Sequence, residues 1–148
     1  MYYDIYYNMV KPVVKYSKKD ETFIRKYVYS DEAGVAAITG RTVEEQHKIA
    51  CTGENNLYIF TNGNNEIIGS VVLREKDDTL DVVELFIKKE LRRSENGSKF
   101  LDEIEKMAAD EGFARITIPE GDNWHTHTFC YRRGYTKSAV QGEMEKIL

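Results

Sequence analysis

The sequence predicts a single α/β domain built on a mixed, mostly antiparallel sheet flanked by helices. Two patterns carry this prediction. Residues 57–87 read as three successive strands joined by short polar turns, and residues 80–118 read as strand, amphipathic helix, strand. The first pattern makes an antiparallel meander. The second needs a right-handed crossover, which sets its two strands parallel. A chain of 148 residues suits one domain and buries enough surface to do without a disulfide or metal.

The amino terminus is rich in tyrosine. Tyr3, Ile5, Tyr7 and Met9 alternate with Tyr2, Asp4, Tyr6 and Asn8 as in a half-buried strand, while Tyr3, Tyr7 and Val10 also fit helical spacing. Pro12 stops either element. From about Asp20, the apolar positions Phe23, Ile24, Tyr27 and Val28 recur at helical spacing and predict a helix, with Gly34 and Gly40 both candidates for its end. A second helix is better marked: Thr42 followed by Glu45 forms a capping box, and Gly53 lies where a carboxyl-terminal cap is expected.

The period then changes from helical to alternating. Residues 57–61 and 66–73 flank Asn62-Gly63-Asn64-Asn65, a hairpin signal because Asn and Gly tolerate positive φ. Asp77-Asp78 turns the chain into a third strand, 80–87. Beyond a polar loop, Phe100, Leu101, Ile104, Met107 and Ala108 fall on one helical face, with Lys99 and Glu103, and Asp102 and Lys106, spaced to pair on the other. Gly112 ends that helix. Residues 113–119 predict a further strand, 124–133 a short helix capped by Asp122 or Asn123 and stopped by Gly134, and 135–148 one or two closing strands.

The loop from Glu90 to Leu101 is the most informative segment. Backbone N–H groups in the first turn of a helix lack intrahelical acceptors and carry partial positive charge, so a strand running through a polar loop into a helix forms a cradle for an anion. Lys88, Lys89, Arg92, Arg93 and Lys99 surround this loop in a chain of net charge −4. Local and global charge thus disagree in sign, which points to a local anionic ligand and away from a polyanion-binding face. Nucleic acid is therefore not an expected partner. No apolar run approaches the roughly 18 residues of a membrane span, and Met1 is not followed by a secretory signal, so no membrane partner and a cytoplasmic location are expected. Cys51 and Cys130 are too few and unpatterned for a disulfide framework. His125, His127 and Cys130 fail as a metal site, because His125 and His127 lie roughly 200° apart around a helix and no fourth ligand is suitably spaced.

The element order and two junctions resemble the GNAT superfamily of acetyl-CoA-dependent N-acetyltransferases, over about residues 57–148. The family's acetyl-CoA loop reads Arg or Gln, two residues, Gly, one residue, then Gly or Ala. Here it reads Arg92-Arg93-Ser94-Glu95-Asn96-Gly97, with Glu95 in place of the first glycine. The family's signature of Asn, a short helix, Phe-Tyr, three residues and Gly-Phe aligns with Asn123, Phe129-Cys130 and Gly134-Tyr135. Its Tyr falls on Cys130, with Tyr131 one place later.

The resemblance implies a GNAT-like sheet whose parallel pair splays around a cofactor cleft. It implies a single domain over 1–148, with 1–56 shaping the acceptor side and 57–148 forming the cofactor-binding core. Acetyl-CoA would be the co-substrate, without a metal, held by backbone groups at Leu85, Phe86 and Ile87 and by Arg92, Arg93, Ser94, Glu95, Asn96, Gly97, Ser98 and Asn123. The acceptor would be a primary amine of a small molecule or peptide, with a homodimer left open. Glu84 is the candidate base, directly or through water, against the reading of a solvent-facing strand residue. Cys130 or Tyr131 is the candidate acid for the leaving thiolate, although Cys130 also reads as a small buried hydrophobe. Because Glu95 brings a side chain and negative charge to the diphosphate loop, the alternative is a non-catalytic GNAT-like module that binds CoA, acyl-CoA or a protein partner.

Overall fold

The computed structural model describes residues 21–92, 95–120 and 129–148, and of residue 95 the backbone alone. The tyrosine-rich segment, Arg93, Ser94, Asn123, Trp124, His125 and His127 lie outside the described residues. Seven strands make one sheet: β1 (Thr22–Lys26), β2 (Asn56–Asn62), β3 (Ile67–Lys76), β4 (Thr79–Ile87), β5 (Arg115–Pro119), β6 (Thr136–Lys137) and β7 (Glu143–Ile147). Their spatial order is β1-β2-β3-β4-β5-β7-β6. Every neighbouring pair is antiparallel except β4 and β5, which run parallel across the crossover helix α3 (Glu95–Asp110). This is the mixed sheet and crossover that the alternation and helix periodicity predict.

The helix expected from about Asp20 is corrected. Thr22–Lys26 is a strand, antiparallel to β2 in the register Ile24 to Phe60. Phe23 stays 51% exposed while Ile24 packs against the core, so the operative period is two. Pairing with β2, some thirty residues on, overrides the local helical spacing. The helix that does form is α1 (Glu32–Thr39), which ends at Gly40 in the left-handed region, φ 75°. It lies close on β3: a Cβ on Gly34 would come within 2.7 Å of the Ile67 side chain.

Helix α2 (Val43–Cys51) starts as its capping box requires. The Glu45 N–H donates to Thr42 Oγ1 at 3.1 Å and the Thr42 N–H to Glu45 Oε1 at 3.2 Å. Its carboxyl-terminal cap is Thr52 in extended conformation, one residue before the expected Gly53. In the β2–β3 hairpin, Asn65 takes φ 61° and Asn62 Oδ1 accepts from the N–H groups of Asn64 and Glu66.

Alternation along the strands divides the interior into two layers. Phe60, Val71, Leu73, Leu80, Val82 and Ile116 face α3, where Phe60 stacks on Phe100 at 4.6 Å between ring centroids. Ile59 and Val72 point the other way and are buried with Val35 and Ala36 of α1. The closing strands are clamped onto α3 through Glu105, whose carboxylate accepts from Tyr135 Oη at 2.9 Å and Lys146 Nζ at 3.3 Å and pairs with Arg133. Asp102, spaced for Lys106, pairs with Arg133 as well.

Candidate active site

Strands β4 and β5 pair only at their beginnings, Thr79 with Arg115, Leu80 with Ile116 and Asp81 with Thr117. Beyond that point β4 continues to Ile87, and among the described residues its edge on the β5 side has no ladder partner, which leaves a gap in the sheet there. A β-bulge lies just past the last of these pairs, on the β3 side of β4. The register between β3 and β4 slips between Val72, opposite Glu84, and Leu73, opposite Val82, leaving Val83 as the extra residue.

The bulge decides what faces the gap. The Lys88 N–H donates to the Ile68 carbonyl at 2.8 Å, so the bonded pairs of this ladder are Ile68 with Lys88, Ser70 with Phe86 and Val72 with Glu84. The alternate residues, Leu85 and Ile87, turn their N–H and C=O groups away from β3 and into the gap, while the Phe86 backbone faces β3. The Ile87 carbonyl accepts from Arg92 Nε at 2.9 Å, and the Arg92 guanidinium lies 4.7 Å from the centre of the Phe86 ring. Arg92 is thereby fixed at the mouth of the gap, on the short turn leading to α3.

The amino-terminal turn of α3 lies at the same end. Asn96, Gly97, Ser98 and Lys99 are half-buried there. A Cβ built on Gly97 would meet the Phe129 ring at 3.7 Å, an ordinary contact, so the helical turn 129–132 backs this part of α3. Within that turn Cys130 is fully buried in the core and Tyr131 is 65% exposed. Burial pushes the Cys130 thiol up to about 11, against a smaller opposing pull from Arg133.

After the bulge, Leu85 and Ile87 pack toward the α3 side, which places Glu84 on the opposite face with α1 and α2. There Arg41, on the turn between those helices, pairs with Glu84 and also donates to Gln46 Oε1 at 3.1 Å. Gln46 is fully buried, and its Nε2 has no hydrogen-bond partner among the described residues. Sequence reasoning missed both. Arg41 carries no local signal beyond following Gly40. Gln46 does carry one, being a polar residue within the apolar stripe of Val43, Ile49 and Ala50.

A family model of the acetyltransferase (GNAT) domain matches residues 16–148. The chain belongs to the GNAT acetyltransferase family. Solved GNAT proteins share its fold at low sequence identity. An IAA acetyltransferase from Bacillus cereus superimposes with a TM-score of 0.67 at 12% identity, over 86% of this chain and 100% of that one. The PaiA N-acetyltransferase of Thermoplasma acidophilum, solved with coenzyme A, gives 0.69 at 16% identity over 86% and 99%. A GNAT acetyltransferase from Elizabethkingia anophelis, solved with acetyl-CoA bound, gives 0.68 at 16% identity over 88% and 100%. A comparison with curated proteins by sequence returns no match. Among the described residues of this GNAT domain, no helix is long and apolar enough to cross a membrane, and no cluster of three His, Cys, Asp or Glu side chains is arranged to hold a metal ion.

Proposed function

We propose that the protein transfers an acetyl group from acetyl-CoA to the primary amine of a small molecule or peptide. The observation that carries this reading is the gap between β4 and β5, bordered by the backbone of Leu85 and Ile87 on one strand and by Arg92 at its mouth. A pantetheine arm fits such a gap as an added strand, since its amides need the donors and acceptors that an unpaired strand edge offers. Its diphosphate would lie against Arg92 and the first turn of α3, at Asn96, Gly97 and Ser98, with Arg93, Ser94, Glu95 and Asn123 completing that end by family resemblance. A backbone N–H of Leu85 or Ile87 would face the thioester oxygen, where negative charge develops during acyl transfer.

Glu84 serves as the base in this reading. It stands on the acceptor face beside the bulge, and it would take the proton that an ammonium group must lose before the amine nitrogen attacks the acetyl carbon. The bond to sulfur then breaks and the departing thiolate is protonated. Of the two candidate acids we assign this step to Tyr131, because that residue is exposed whereas Cys130 is enclosed by the core. The segment 1–56, which includes Arg41 and Gln46, would shape the acceptor pocket, and 57–148 the cofactor-binding core.

Calorimetric titration with acetyl-CoA tests the first half of the reading. Micromolar binding is the expected result, and no heat at millimolar ligand would instead favour a module that has lost its co-substrate. Release of free CoA thiol against a panel of amines then tests the transfer itself.

A further inference from the structure

A second chemically matched group of side chains lies on α1 and α2 and shares no residue with the border of the gap. Cys51 Sγ is 3.4 Å from His47 Nε2, one helical turn before it, and His47 Nδ1 is 2.9 Å from Glu32 Oε2 on α1. The imidazole also meets the Tyr29 ring, nearly perpendicular to it with ring centroids 6.3 Å apart. The two ring nitrogens contact different residues, so the three groups form a line and do not converge on a point. That is the geometry of a relay: a nucleophile, a base in hydrogen-bond reach, and a third group orienting the base. It is a poor geometry for a metal. Glu32 is buried, Cys51 is exposed, and the thiol is therefore open to a reagent while the orienting carboxylate is fixed.

The position of Cys51 sharpens the argument. It is the last residue of α2, where the helix dipole disfavours an anion and favours a cation. A thiol placed there without a partner should be less nucleophilic than a free cysteine. Any enhanced reactivity must come from His47, whose Nε2 lies within hydrogen-bond reach of the sulfur while Glu32 holds its Nδ1. Cys130, the other cysteine of the chain, is sealed in the core and provides an internal contrast.

We propose that Cys51 is a nucleophilic modification site that undergoes thiol–disulfide exchange with low-molecular-weight disulfides. The Cys51 proton passes to His47 Nε2, and the thiolate attacks one sulfur of the disulfide. The disulfide bond breaks as the bond to Cys51 forms, and the proton held by His47 passes to the departing thiolate or, where that thiolate stays ionised, to water. The product is a mixed disulfide on the carboxyl-terminal end of α2, and the two electrons are balanced by the thiol released.

The probe is 5,5′-dithiobis(2-nitrobenzoate), a small disulfide whose released thiolate absorbs visibly, applied to the intact protein at pH 7. One thiol should react rapidly, at least about tenfold faster per thiol than in the same protein unfolded in guanidinium, since a free thiol of pKa near 8.5 is only a few per cent ionised there. Cys51→Ser should abolish the rapid phase, and peptide mass spectrometry should place the adduct on Cys51. His47→Gln should slow it about tenfold, Glu32→Gln should slow it less, and Glu32→Asp should restore part of the loss. A native rate no faster than the unfolded one, or a rapid phase unchanged in His47→Gln, overturns the proposal. The native-to-unfolded comparison needs no variant to fold, and none of these measurements depends on acetyl-CoA binding.

Discussion

Arg41 reaches across from the turn between α1 and α2 to pair with Glu84, 43 residues later in the chain, and so joins the α1–α2 side of the domain to the strand that borders the gap. The pair is only partly exposed, and Arg41 is further held by Gln46, which anchors the guanidinium to a buried side chain. If Glu84 is the base, Glu84→Gln keeps the volume but removes the proton acceptor. Steady-state kinetics should then show kcat lowered by about 10²-fold or more, within the usual range for general-base removal, with acetyl-CoA affinity within about twofold of wild type. Unchanged turnover would leave Glu84 a partner of Arg41 and nothing more.

Arg92 holds two positions at once, its Nε on the Ile87 carbonyl and its plane over the Phe86 ring. Lysine cannot reproduce both, because an ammonium lacks the flat, forked donor set. Arg92→Ala and Arg92→Lys should each weaken acetyl-CoA binding about tenfold by calorimetry, the scale of one charge-assisted hydrogen bond. Wild-type affinity should also fall with added salt more steeply than that of Arg92→Ala. Equal affinity in all three proteins would remove Arg92 from the diphosphate site.

How much of this was legible in the sequence follows from the range of each interaction. The capping box of Thr42 and Glu45, the hairpin turn at Asn62 to Asn65 and the apolar face of α3 rest on contacts a few residues apart, and all can be read from spacing. The strand at Thr22–Lys26 carries helical apolar spacing and is made a strand by its partner β2, which lies far along the chain. Part of the site was legible, since the turn at Arg92 and the start of α3 at Asn96 and Gly97 follow directly on the end of β4. The face that carries Arg41 and Glu84 was not. The Arg41–Glu84 pair depends on the bulge at Val83 and on α1 docking over β3, and neither leaves a periodic trace.

The clasp at the start of α1 predicts a pH dependence. Arg25 grips Asp31 with two bonds of 2.8 Å, and the Val28 N–H donates to the same carboxylate at 2.8 Å. Burial pushes the Asp31 carboxyl up, but the bonds from Arg25 and Val28 outweigh it and hold it below the usual value. With the folded pKa below the unfolded one, the clasp stabilises the protein fully above about pH 4 to 5, and this contribution is lost as pH falls through the folded value. Asp31→Asn should therefore cost about 2 kcal/mol by guanidinium unfolding at pH 7. The gap between variant and wild type should narrow when the measurement is repeated near pH 3.

Cys130 and Tyr131 are adjacent in sequence yet opposite in environment, and substitution should separate their roles. Cys130 is enclosed in the same buried cluster as Tyr135, Phe100 and Leu101, so Cys130→Ala removes a packed sulfur and should lower stability by about 1 kcal/mol while leaving kcat within about twofold. Tyr131→Phe removes only an exposed hydroxyl, so stability should stay within about 0.5 kcal/mol. If that hydroxyl protonates the leaving thiolate, kcat should fall at least about tenfold and the high-pH limb of the rate profile should change in the variant. The reverse outcome, a large rate loss in Cys130→Ala with Tyr131→Phe fully active, would move the proton donor to the buried thiol and require the turn 129–132 to open during each cycle.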